Sequence, residues 1–160
     1  MGMQNPDPMV RMRAADTAEK VSAQHLDYLS PYKDELLHRI AESTQQEVRW
    51  HVAQMLPRFA LSADEQAVAV ALLYEYLNDR SPIVQTFALD ALTTFAQRDS
   101  ALRSEVVRLL HQAQGTERAP LCISWAITGW QRMRERSFPR VAVRGICHCM
   151  PKGERDARSR

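Results

Sequence analysis

At 160 residues, with 45% hydrophobic and 25% charged composition, the chain can bury one sizeable core and falls outside the disordered and fibrous classes. Its net charge of +2 conceals an asymmetry: residues 1–117 carry 11 Lys and Arg against 16 Asp and Glu, whereas residues 118–160 carry 10 against 3. Basicity therefore belongs to the end of the chain and argues against a polyanion-binding surface on the body.

The opening segment, Met1 to Pro8, has no basic residue followed by an apolar stretch, so it does not read as a secretion signal. Pro6 stands where a myristoylation motif wants Ser or Thr. No apolar run approaches the roughly 18 residues of a membrane span, so no membrane partner is expected. Three cysteines (Cys122, Cys147, Cys149) fit no disulfide framework and point to a reducing compartment, the cytoplasm.

Along the chain, helix starts are dense. Asp7-Pro8, Ser30-Pro31 and Ser81-Pro82 each pair a capping residue with proline at the first helical position, where a missing N–H costs nothing. Thr44-x-x-Glu47 and Ser62-x-x-Glu65 have the form of a capping box. These starts predict helices over about 7–22, 31–43, 45–59, 63–78, 82–97 and 100–113, and a seventh over about 120–134. Val48, Val52, Met55, Leu56 and Phe59 make one apolar stripe, and Val68, Leu72, Leu73, Tyr76 and Leu77 another. No stretch alternates long enough for a strand. Residues 137–160, with prolines at 139 and 151, glycines at 145 and 153 and six basic residues against two acidic, are expected to form a basic, disordered tail.

A pattern returns every 36 to 38 residues: Val10-Arg11-x-x-Ala14-x-x-x-Ala18, Val48-Arg49-x-x-Val52-x-x-x-Leu56 and Val84-Gln85-x-x-Ala88-x-x-x-Leu92. Leu36 and Leu72 stand twelve residues ahead of the later copies, and Leu109 stands at the same offset before Leu121, where a weaker fourth copy opens. Such a period predicts stacked helix pairs. The first pair has nothing before it to cover Val10, Ala14 and Val21, so the N-terminal end is expected to expose an apolar patch suited to a partner or to self-association.

Tyr76-Leu77-Asn78-Asp79-Arg80-Ser81-Pro82-Ile83-Val84, running into Phe87-Ala88-Leu89-Asp90-Ala91-Leu92, resembles HEAT-repeat proteins. That family commonly opens its first helix with Asp-x-x-Val-Arg. Residues Asp7 to Arg11 satisfy the pattern, whereas the second copy has Gln45 for the Asp and the third has Ser81 and Gln85. The resemblance covers roughly residues 5–115. It implies an all-α, right-handed α-solenoid of about three helix pairs plus a seventh helix, with a HEAT-like repeat domain over residues 5–136. It also implies a non-catalytic scaffold or adaptor that binds a protein partner. The alternatives are a nucleic-acid-binding helical repeat of the alkylation-repair kind, disfavoured by the acidic body, or a repeat-type lyase.

In HEAT pairs the second helices line the inner side. Opposite the Leu36, Leu37, Ile40 stripe lie Glu35, His38 and Glu42, and steps of one and two repeats reach Tyr74, then Arg108 and His111. The column His38, Tyr74, His111, flanked by Glu35 and Arg108, is the candidate partner-binding stripe, weighed against a plain solvated face. Packed helices stand roughly 8–10 Å apart, which separates the two histidines too far for a shared metal. Trp50 is either an exposed anchor or a side chain packed on a neighbouring turn. Cys147-His148-Cys149 lacks the spacing and the second ligand pair of a zinc site, and Cys122 fits a buried small hydrophobe. No nucleophile elbow, phosphate-cradling glycine loop, His-Glu-x-x-His or dinucleotide fingerprint occurs. No enzymatic activity, metal or cofactor is therefore expected.

Overall fold

The structure is a computed structural model that describes residues 2–114. The seventh helix expected at 120–134, the basic tail and all three cysteines lie outside these residues. Among the described residues six helices follow one another: α1 (Pro8–Gln24), α2 (Lys33–Glu35, running on as the π-helical turn Leu36–Ile40), α3 (Gln46–Met55), α4 (Ala63–Tyr76), α5 (Pro82–Arg98) and α6 (Ser100–Gln114). Short 3-10 turns cover Gly2–Gln4, Leu26–Tyr28, Ser30–Tyr32 and Leu56–Arg58. Among the described residues there is no strand, and no helix is long and apolar enough to cross a membrane.

Local chemistry sets most of the helix ends. The Asp7 carboxylate accepts from the Met9 N–H at 2.8 Å and caps α1. The Ser62–Glu65 box closes in both directions, with Ser62 N–H donating to the Glu65 carboxylate at 2.7 Å and Glu65 N–H donating to Ser62 Oγ at 3.2 Å. The expected Thr44–Glu47 box does not form. Residue 45 is the cap instead, and no side chain caps α3. The reason is tertiary, because the Gln45 amide is held between two distant groups, accepting from Arg11 Nε at 2.7 Å and donating to the Pro8 carbonyl at 2.9 Å. Helix α3 also stops short of residue 59. Pro57 has no N–H for the next helical bond, so the chain tightens into the 3-10 turn Leu56–Arg58. At the other end of α5, the Asp99 carboxylate accepts from Ala101 N–H at 2.9 Å and thereby opens α6.

The second helix departs furthest from expectation. In place of a regular helix over 31–43, a 3-10 turn leads into one α turn and then a π turn, closed by Ala41 N–H donating to the Leu36 carbonyl at 3.1 Å. The wider π turn lets Leu36, Leu37, Ile40 and Ala41 all point into the core, and all four are buried.

Helices α1, α3 and α5 pack in series, α1 on α3 and α3 on α5, while α4 and α6 both lie against α5. The predicted stripe is buried throughout: Val48, Val52 and Met55 on α3, Leu56 in the turn after it and Phe59 just beyond. The stripe of α4 is rotated by about one residue from expectation. Ala69, Leu73 and Tyr76 are buried, Leu72 and Leu77 are half-buried, and Val68 is exposed. Both rows recur at helical spacing, and only contact with α5 selects the inner one.

One hydrogen bond recurs in all three copies. The side chain that follows the repeat valine donates to the carbonyl six residues earlier: Arg11 Nη1 to Asn5 at 2.8 Å, Arg49 Nε to Ser43 at 2.6 Å and Gln85 Nε2 to Asp79 at 2.6 Å. The two arginines also reach forward to the start of the next copy. Arg11 binds Gln45, and Arg49 Nη1 meets the Asp79 carboxylate at 2.5 Å. A further clamp joins the turn after α3 to α1, where Arg58 donates to the Glu19 carbonyl at 2.7 Å and to Ser22 Oγ at 2.5 Å, and pairs with the Glu19 carboxylate.

Candidate functional site

The six candidate residues divide when placed on these helices. His38 is exposed on the π turn, with its Nε2 4.0 Å from the Asp34 carboxylate of the same helix. Glu35 is half-exposed beside it. On α4, Tyr74 is half-buried and packs against the core. Its hydroxyl is shifted upward by burial first and by the Glu105 carboxylate second, against a smaller opposing pull from Arg108. Arg108 is exposed on α6 and grips Glu105 one turn earlier, with Nε 3.0 Å from the carboxylate. This ion pair, not burial, holds the Glu105 carboxyl below its usual range. Tyr74 thus feels both charges of α6, although α4 and α6 each pack on α5. His111 is exposed further along α6.

Trp50 lies on α3. It is half-buried against the core, edge-on to His51 with ring centres 5.5 Å apart.

Several groups that matter here leave no signal in a linear motif. Lys33 and Glu65 form an ion pair at 2.6 Å, both partly buried, which ties α2 to α4 on the second-helix side. That contact and the Ser62 N–H hold the Glu65 carboxyl low. Arg103 is spent on the carbonyls of Ala96 and Gln97, each at 3.3 Å. Asp90 on α5 is half-buried, and burial pushes its carboxyl upward.

His51 is the most unusual of these groups. It is buried on α3, and its Nδ1 has no hydrogen-bond partner. Burial lowers its pKa. Asp16 and Glu19 of α1 pull the other way, Lys20 adds to the lowering, and Glu47 of its own helix opposes it. Since the unfolded chain takes up this proton first, stability held above the ordinary value of 6.5 is lost as pH falls below it. Phe87 occupies the equivalent place one repeat later. The His51→Phe variant should therefore lose less stability than the parent between pH 7.5 and pH 5.5. Urea melts at both pH values measure this, and identical losses would assign the acid sensitivity elsewhere.

The hollows of the surface lie elsewhere. A polar cleft of about 420 Å³ opens between the N-terminal turn and the loop after α2, with Gln4, Arg11, Arg39, Glu42 and Gln45 in its wall. A second groove of about 500 Å³, mostly apolar, runs along the outer side of α1. None of the six candidate residues lines either one. Among the described residues, no three His, Cys, Asp or Glu side chains converge to hold a metal. What the column offers is a row of exposed polar groups beside a half-buried aromatic ring, suited to noncovalent contact. Comparison with protein-family models, with curated proteins and with solved structures finds no match to this chain.

Proposed function

We propose that this chain is a HEAT-like, right-handed α-solenoid that serves as a non-catalytic cytoplasmic scaffold or adaptor, holding a protein partner along its second-helix face. The observation that carries the reading is the recurring bond of Arg11, Arg49 and Gln85 to the carbonyl six residues before each. Three segments of different sequence make the same local contact six residues back, as units of a repeat would. The serial packing of α1, α3 and α5 supports it as well. Tyr74 supplies the anchor of the binding face, since a half-buried ring loses little conformational freedom on contact. Arg108, Glu35, His38 and His111 supply the polar rim.

A nucleic-acid partner is disfavoured, because Lys33, Arg103 and Arg108 on this face are already engaged with Glu65, backbone carbonyls and Glu105. Tagged full-length protein and a Tyr74→Ala/Arg108→Glu variant, each cross-linked in a cell lysate and recovered, test the adaptor reading. The variant should keep its helical circular dichroism, with a lowered Tm because Tyr74 packs against the core, and lose the proteins that the parent retains; a His38→Ala/His111→Ala variant, altered only at exposed side chains, should melt normally and retain fewer of them. Equal recovery would remove the second-helix face from the proposal. Heparin retention that survives truncation at residue 136 and weakens steeply with salt would favour nucleic acid instead.

A further inference from the structure

Two successive copies are built alike around their arginines, except for one charge. Arg49 donates to the carbonyl six residues back and pairs with the Asp79 carboxylate at 2.5 Å, while the other Asp79 oxygen accepts from the Ser81 N–H at 2.8 Å. Arg11 likewise donates to the carbonyl six residues back. The residue 36 positions before Asp79 is Ser43, and it serves the same turn, its Oγ accepting from the Gln45 N–H at 3.3 Å. A hydroxyl has no second oxygen and no charge to offer an arginine. Arg11 is left with neutral acceptors: the Gln45 side-chain oxygen at 2.7 Å and the carbonyls of Asn5 and Pro6 at 2.8 and 2.9 Å. Among the described residues no carboxylate pairs with Arg11 or with Arg39. Both arginines, with Ser43 and Thr44, line the polar cleft of about 420 Å³.

We propose that this cleft binds a ligand carboxylate, which takes beside Arg11 the place that the Asp79 side chain takes beside Arg49. The chain's own second copy selects that chemistry, because there the same arginine, in the same local frame, is neutralised by a carboxylate. A half-buried guanidinium held only by neutral oxygens keeps its full charge, and a charge-assisted bond is about twice as strong as a neutral one. Arg39, exposed in the same wall, adds a second cation, and the Thr44 hydroxyl adds a donor. Glu42 also lies in the wall and opposes an anion, but it is exposed and therefore screened. Its presence, with the acidic body around it, favours a single carboxylate over a polyanion. The carboxylate is that of a small free acid or of an acidic side chain. None of the six residues of the second-helix face takes part, so this site and that face stand or fall separately.

Titration of the isotope-labelled full chain with succinate at constant ionic strength, followed by NMR at the arginine Nε–H groups, tests this. The Arg11 signal should shift saturably, half-complete at a concentration on the order of 1–10 mM, while that of Arg49, already paired with Asp79, should stay still. A blocked aspartyl peptide titrated in parallel tells an acidic side chain from a free acid, the tighter of the two being the source. Ser43→Asp supplies the carboxylate from within the chain and keeps the turn. It should preserve far-UV circular dichroism and weaken succinate binding at least about tenfold. Arg39→Ala, altered only at an exposed side chain, should weaken binding about two- to fivefold, and Glu42→Gln should tighten it by a similar factor. An Arg11 signal indifferent to both carboxylates, or a Ser43→Asp variant that binds succinate as the parent does, would overturn the proposal. Should Ser43→Asp misfold, unchanged binding in both Arg39→Ala and Glu42→Gln would do the same. So would an equal response to sodium sulfate at matched ionic strength, since that would reflect general attraction of anions to exposed charge.

Discussion

Replacing Leu73 by alanine is expected to lower the unfolding free energy by about 2–5 kcal/mol, whereas Leu72→Ala should cost less than half as much. Leu73 is fully buried in the middle of α4, between Ala69 and Tyr76 on the stripe that faces α5, and its truncation leaves a cavity that two packed helices cannot close. Leu72 sits one residue round the helix and is only half-buried, so part of its surface is already in water. The fall in Tm for Leu73→Ala should be on the order of 10 °C. Thermal and urea melts of the two variants decide the register. Equal losses, or a larger one for Leu72, would mean that α4 is turned differently against α5.

The second large effect is expected at Arg49. Its guanidinium meets three groups at once: it donates to the Ser43 carbonyl at 2.6 Å, pairs with Asp79 at 2.5 Å and lies 5.1 Å from the centre of the Tyr76 ring. Tyr76 in turn donates its hydroxyl to the Ala41 carbonyl at 2.7 Å, in a buried bond that pushes no charge into the core, since burial holds the phenol well above its usual pKa. The Arg49 and Asp79 side chains are only 24% and 12% exposed, so screening by solvent is weak. Burial alone would raise the Asp79 carboxyl, yet the Ser81 N–H and Arg49 together hold it below its ordinary value.

Arg49→Ala should therefore cost about 2–3 kcal/mol, much of it the penalty of leaving Asp79 half-buried without its partner. Arg49→Lys should recover less than half, because an ammonium cannot serve the carbonyl, the carboxylate and the ring together. A double-mutant cycle with Asp79→Asn should give a coupling energy of about 1–2 kcal/mol. A coupling near zero would show that the contact contributes nothing to holding α3 against the start of α5.

The sequence by itself determined where most helices begin and which face of the first helices is dry. Asp7, Ser62 and the prolines after residues 7 and 81 act within three or four residues, and a cap or a proline needs nothing from the rest of the molecule. The stripe from Val48 to Phe59 was legible because three copies of it could be laid over one another. For the candidate site, the sequence placed His38, Tyr74, Arg108 and His111 on second helices, and only neighbouring helices decided that Tyr74 is drawn partly inward while Trp50 packs down beside His51.

Tertiary structure alone decided the rest, and the physical reason is the same in each instance. Gln45 took the cap position expected of Thr44 while its amide bound groups 34 and 37 residues away, Leu73 took the core place that Leu72 could equally have filled, and His51 was buried with its Nδ1 unpaired. Helical periodicity supplies several nearly equivalent apolar faces, and hydrogen-bonding side chains supply several possible partners. Which of them is used depends on the helix packed alongside, whose position no stretch of twenty residues encodes.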